Sequence, residues 1–110
     1  MAYDKELADR IREVVRCERG LSEKQMFGGL AFMIDGRLAA SASSHGGMLL
    51  RVDPAETEAL LGEPFVDRFE MRGRAMTGWI HVAREAVETD DALRSWVTRG
   101  VVYARSLPTR

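Results

Sequence analysis

The chain has 110 residues, 45% of them hydrophobic and 30% charged, with a formal net charge of −1 and an isoelectric point near 6.1. That length suits one domain with one buried core, and the mix excludes a disordered or membrane-spanning chain. The balanced charge argues against direct nucleic-acid binding, whose electrostatic footprint is a basic excess.

The N-terminal Met1-Ala2-Tyr3-Asp4-Lys5-Glu6 lacks the apolar stretch of a secretory signal, so a cytoplasmic location is expected. Cys17 is the single cysteine, which leaves no disulfide framework and no metal-ligand spacing; neither a metal nor a cofactor is expected.

Leu7, Ile11, Val14 and Val15 recur at helical spacing, with charged residues opposite, and predict an amphipathic helix from about Asp4 to Arg19. Gly20 follows as a candidate C-cap. The stretch from Met26 to Ala40 organises the rest of the chain. It consists of two apolar runs joined by Asp35-Gly36, a pair suited to the type I′ turn that needs positive φ at both central positions. The first strand is expected over about Gln25–Ile34, with Leu30, Phe32 and Ile34 on one face and Ala31 and Met33 on the other. Gly28-Gly29 within it predicts a bulge, or a site where another backbone or a ligand comes close. The second strand runs from about Arg37 to Ser43, with Leu38, Ala40 and Ala42 sharing a face, and the third from Met48 to Val52.

Asp53-Pro54-Ala55-Glu56 is a helix start: Asp53 can cap, Pro54 suits the first turn and Glu56 stands at the capping-box position. The helix is short, anchored by Leu60 and Leu61. A fourth strand is expected at about Arg68–Arg72, a turn at Gly73-Arg74, and a fifth strand at Met76–Val82. After a connector that can hold one helical turn, Thr89 or Asp90 caps a last helix. Its apolar face carries Leu93, Trp96, Val97, Gly100, Val101 and Ala104, and Pro108 follows its end. The expected fold is α+β in two layers, a five-stranded antiparallel sheet with helices on one face, in the order α-β-β-β-α-β-β-α.

If helices cover the Leu30/Phe32/Ile34 face, the other face presents Ala31, Met33, Ala39, Ser41, Leu49, Arg51, Trp79 and His81. This is more apolar than a wet sheet face requires. Met33, Leu49, Arg51, Trp79 and His81 are therefore candidates for a partner-binding or self-association face, with Trp79 as the anchor. The competing expectation is that the loops at Ser43–Gly47 and Glu63–Asp67 fold over it. Arg68, Arg72 and Arg74 form an anion-binding candidate, or else a solvated edge that discourages strand addition. His45, His81 and Cys17 lie on separate elements, and the serines beside His45 lack the strand-turn-helix elbow of a nucleophile.

The run Lys24-Gln-Met26-Phe27-Gly28-Gly29-Leu-Ala-Phe-Met-Ile-Asp35-Gly36-Arg37 closely resembles the N-terminal domain of the TfoX/Sxy family. Met48-Leu49-Leu50-Arg51-Val52, Phe69 through Gly78 and Leu93 through Pro108 extend the resemblance over nearly the whole chain. It implies a two-layer α+β fold like that of the secretion chaperones. It also implies a regulatory setting, since founding members act in natural competence with the cyclic-AMP receptor transcription factor. Those members carry a second domain, so a stand-alone member is expected here. The resemblance brings no catalytic residues. The leading expectation is a non-enzymatic interaction module that binds a protein partner or itself as a homodimer. The alternative is a small-ligand or small-enzyme domain using a cleft near Gly28-Gly29, Arg51, Trp79 and His81.

Overall fold

A computed structural model describes residues 3–26, 28–44, 46–71 and 73–107. Phe27, His45, Arg72 and Pro108, singled out in the sequence, lie outside the described residues.

The first helix, α1, spans Lys5–Val15. Asp4 caps it, its Oδ1 accepting from the Leu7 N–H at 3.1 Å, which satisfies one of the donors a helix start leaves unpaired. Leu7, Ala8, Ile11 and Val15 are its buried stripe. The helix stops at Val15, well short of the expected Arg19. Gly20 therefore does not cap it, and instead leads into a strand, its carbonyl accepting from the Asp35 N–H at 3.0 Å.

Six strands follow among the described residues, not five: β1 (Leu21–Met26), β2 (Gly29–Ile34), β3 (Arg37–Ala42), β4 (Met48–Arg51), β5 (Val66–Met71) and β6 (Arg74–Val82). All pair antiparallel, in the spatial order β1-β2-β3-β4-β6-β5. The stretch expected as one strand with a glycine bulge is two strands, because Met26 pairs antiparallel with Gly29. The extra strand was hidden by its polarity. As an edge strand it exposes Ser22, Glu23, Lys24 and Gln25 and carries no apolar alternation.

The β2–β3 hairpin turns on Asp35 (φ 53°) and Gly36 (φ 81°), both in the left-handed region that a type I′ turn demands. A register shift then separates Phe32↔Ala40 from Met33↔Leu38, which makes Ala39 the extra residue of a β-bulge. The bulge reverses the expected facing of its neighbours: Ala39 joins the main core and Leu38 moves to the other face.

After β4, Asp53 accepts from the Ala55 N–H at 2.9 Å and starts a 3₁₀ turn at Pro54–Glu56, which runs into the single-turn helix α2 (Thr57–Leu60). β5 and β6 begin two residues earlier than the expected fourth and fifth strands. Their pairing is irregular, since β5 advances from Arg68 to Glu70 while β6 runs between Ile80 and Ala75. A second 3₁₀ turn (Arg84–Val87) leads to α3 (Asp90–Ser106), capped by Thr89, whose hydroxyl accepts from the Ala92 N–H at 3.1 Å.

The main core lies between the sheet and the α1/α3 layer. Leu30, Phe32, Ile34, Met48, Leu50, Ile80 and Val82 of the strands meet Leu7, Ile11, Val15, Leu93, Val97 and Val101 of the helices. Arginine pairs border this layer: Arg105 with Glu18 at 2.8 Å, Arg84 with Glu6 at 3.0 Å, and Arg12 with Glu23 at 2.7 Å. The observed order is thus α-β-β-β-β-α-β-β-α, still α+β with an antiparallel sheet, but with one strand more at its edge.

Candidate sheet-face site

Strand alternation sends every second side chain away from the helices. On that second face Ala31, Leu38 and Leu49 are buried, and Met26, Met33, Phe69 and Trp79 pack partly buried around them. All of these come from strands; among the described residues no helical side chain belongs to the cluster.

Cross-strand register places the candidate residues in a row. Leu49 stands opposite Ser41 on β3 and His81 on β6, and Arg51 stands opposite Trp79. The Arg51 guanidinium lies over the Trp79 ring, 5.3 Å from its centroid, and 6.0 Å from that of Tyr103 on α3. Guanidinium over an indole face is an attractive electrostatic contact, so Arg51 holds Trp79 rather than standing free. The Phe69 and Trp79 rings are tilted by 37° at 6.2 Å, which extends the apolar surface onto β5. Phe69 and Met26 were not among the expected face residues. Their signal was present in the alternation of β5 and in the position of Met26 beside the turn, but it required knowing that β1 and β5 belong to the sheet.

His81 occupies one corner. Its Nε2 is 2.6 Å from the Gly46 carbonyl oxygen, so the loop after β3 does reach this face, at its margin. The Glu63–Asp67 segment adds nothing to the apolar cluster. At the same end of the sheet, Gly29 packs on the β3 backbone: a Cβ there would collide with the Ala42 carbonyl oxygen and lie 3.2 Å from its carbon. Gly28 lies beside Ser44. The glycine pair therefore serves a close approach of two strands, and it sits at the other end of β4 from Arg51 and Trp79.

Of the arginine candidates, Arg68 and Arg74 lie among the described residues. Arg68 pairs with Glu58 of α2 at 3.0 Å, toward the helix side, and Arg74 is exposed beside the β5–β6 turn. A cleft of about 450 Å3 lies on the outer side of α3, where Arg99 reaches Glu56 at 3.3 Å beside Asp53 and Tyr103; it does not include the sheet face.

A separate charge network joins α1 to β1. Arg12 forks onto Glu23 through Nε at 2.7 Å and Nη2 at 3.0 Å, and reaches Asp9 as well. The hydrogen bond from Arg12 holds the Glu23 carboxyl below its ordinary range, against a smaller opposing effect of burial. This pair ties edge strand β1 to α1 and is structural in character.

No helix among the described residues is long and apolar enough to cross a membrane. No protein of curated function and no solved structure matches the chain significantly. The family model of the TfoX N-terminal domain matches residues 13–104, from the last turn of α1 to the last turn of α3 and so through the six described strands. The chain belongs to the TfoX N-terminal domain family.

Proposed function

We propose that the chain is a non-enzymatic protein-interaction module of regulatory kind, which binds a protein partner through the sheet face carrying Met33, Leu49, Arg51, Trp79 and His81. The observation that supports this reading is an apolar cluster built from strands alone, opposite the face that α1 and α3 cover. A domain needs one core; a second apolar cluster, rimmed by polar side chains, is the form of surface at which partners bind. Membership of the TfoX N-terminal domain family supports a competence- or transcription-associated setting. Trp79 is the anchor: it is large, half-buried, and held from two sides by Arg51 and Phe69, so little of its freedom is left to lose on binding.

The test is affinity capture from the native cell with wild type and Trp79→Ala side by side, the variant first shown to melt cooperatively. Loss of a hot-spot tryptophan costs roughly 2 kcal/mol or more, about a thirtyfold weaker complex. Recovery of the same partner in equal yield by both proteins would refute this use of the face.

A further inference from the structure

The sheet ends in two free edges, β1 and β5, and their sequences differ in what they permit. When one strand pairs antiparallel with its own copy about a two-fold axis, some residue must stand opposite itself, because its outward-facing polar groups have to meet groups of the same parity. On β1 the central registers set Glu23 against Glu23 or Lys24 against Lys24, like charges in contact, so that edge is protected against self-pairing.

β5 behaves differently. The Ala83 N–H donates to the Phe65 carbonyl at 2.8 Å, which directs the polar backbone groups of Phe65 and Asp67 toward β6; the register shift after Arg68 takes its extra residues from β6, so the alternation of β5 itself carries on through Phe69 to Glu70. The N–H and C=O groups of Arg68 and Glu70 therefore point away from the sheet. Registers centred on Asp67, Arg68 or Glu70 oppose like charges. The register centred on Phe69 sets Phe69 against Phe69 and, on both sides of it, Arg68 against Glu70 of the second copy. In that register each Arg68–Glu70 pair exchanges both backbone hydrogen bonds. The two Phe69 side chains then occupy the close, non-hydrogen-bonded position, with Cα atoms about 4.5 Å apart.

We propose that β5 is a homodimerisation edge, on which a second copy of this chain adds its own β5 antiparallel in the Phe69-centred register. The two sheets then join edge to edge, and their uncovered faces become continuous through Phe69, which already touches Trp79. Arg68 contributes from the same side of the sheet as α2, where its exposed pair with Glu58 leaves other guanidinium donors for the second copy's Glu70. Phe65, 54% exposed and next to the strand, extends the apolar margin of this edge. A six-residue edge is a small contact, so the dimer is weak and reversible. This inference is independent of the partner reading of the sheet face, since it uses the strand edge and a second copy.

The experiment is sedimentation equilibrium of the full chain at low salt, from micromolar to millimolar concentration. The weight-average mass is expected to rise from that of the 12.3 kDa monomer toward twice that value. Arg68→Glu sets Glu against Glu70 of the second copy, and Glu70→Lys sets Lys against Arg68. Each is expected to raise the dissociation constant by roughly tenfold, since two symmetry-related pairs turn from attractive to repulsive. The double variant Arg68→Glu/Glu70→Lys is expected to restore wild-type association, and Lys24→Glu on the opposite edge to leave it unchanged. All three positions are exposed on strands, so folding is retained. A strict monomer at millimolar concentration, or a dimer that ignores the single reversals or is not rescued by the swap, overturns the proposal.

Discussion

Replacing Gly100 with alanine probes how closely α3 lies on the sheet. In an isolated helix the change would help, since alanine is favoured over glycine in a helix interior by about 1 kcal/mol. Here a Cβ on residue 100 would run into the carbonyl oxygen of Ala39 and come within 2.8 Å of Leu50 Cδ1. Leu50 can rotate a methyl aside. The Ala39 carbonyl cannot yield as easily, because it is main chain at the bulge, fixed between the pairs Met33↔Leu38 and Phe32↔Ala40 and fully buried. Relief has to come from lifting α3, which loosens Val97, Val101 and Ala104 in the main core. Overpacking of this kind costs roughly 1–3 kcal/mol, and with an unyielding backbone contact the upper half of that range applies. After the helix-propensity gain, Gly100→Ala is expected to destabilise by about 1–2 kcal/mol, a melting temperature lower by roughly 5–10 °C. Urea titration reads this as a lower midpoint at unchanged slope. Thr98→Ala, exposed on the same helix, is the control and is expected to gain a few tenths of a kcal/mol. A Gly100→Ala midpoint at or above wild type would refute the close approach of α3 to the bulge.

Two further outcomes follow from buried or paired polar groups. Thr57 is buried, its Oγ1 accepting from the Gly78 N–H at 3.1 Å while its hydroxyl donates to the Asp53 carbonyl at 3.3 Å. Thr57→Val keeps the shape but strands the Gly78 N–H, so a loss of about 1–3 kcal/mol is expected in denaturant titration, and an unchanged midpoint would count against that bond. Glu23 is held below the ordinary carboxylate value of 4.5 by Arg12, so its contribution to stability is present above that value and lost as pH falls through the depressed one. Glu23→Gln is expected to cost under about 1 kcal/mol at neutral pH, since the two side chains are 41% and 33% exposed, and its difference from wild type is expected to vanish in acid. A difference that persists below the titration of Glu23 would refute the assignment.

The local signals in the chain were legible where one residue type dictates one conformation. Asp35-Gly36 announced its turn, Asp53 and the Thr89-Asp90 pair announced two helix starts, and the apolar stripes of α1 and α3 announced the face they bury. The second apolar face was legible in outline, because alternation along β2, β4 and β6 assigns Met33, Leu49, Arg51 and Trp79 to one side.

What remained hidden depends on groups distant in sequence. β1 is polar on both sides and becomes a strand only because β2 offers it a ladder and Arg12 anchors Glu23 to α1. The exchange of Leu38 and Ala39 between faces follows from one extra residue in β3, at which α3 seats Gly100 on the Ala39 carbonyl. The sequence by itself determined turns, caps and which faces are apolar, because these are set by backbone preference and by neighbours a few residues away. Strand number, register and the free edges were decided by the tertiary structure, because hydrogen-bond ladders and close backbone contacts join residues whose pairing no local pattern encodes.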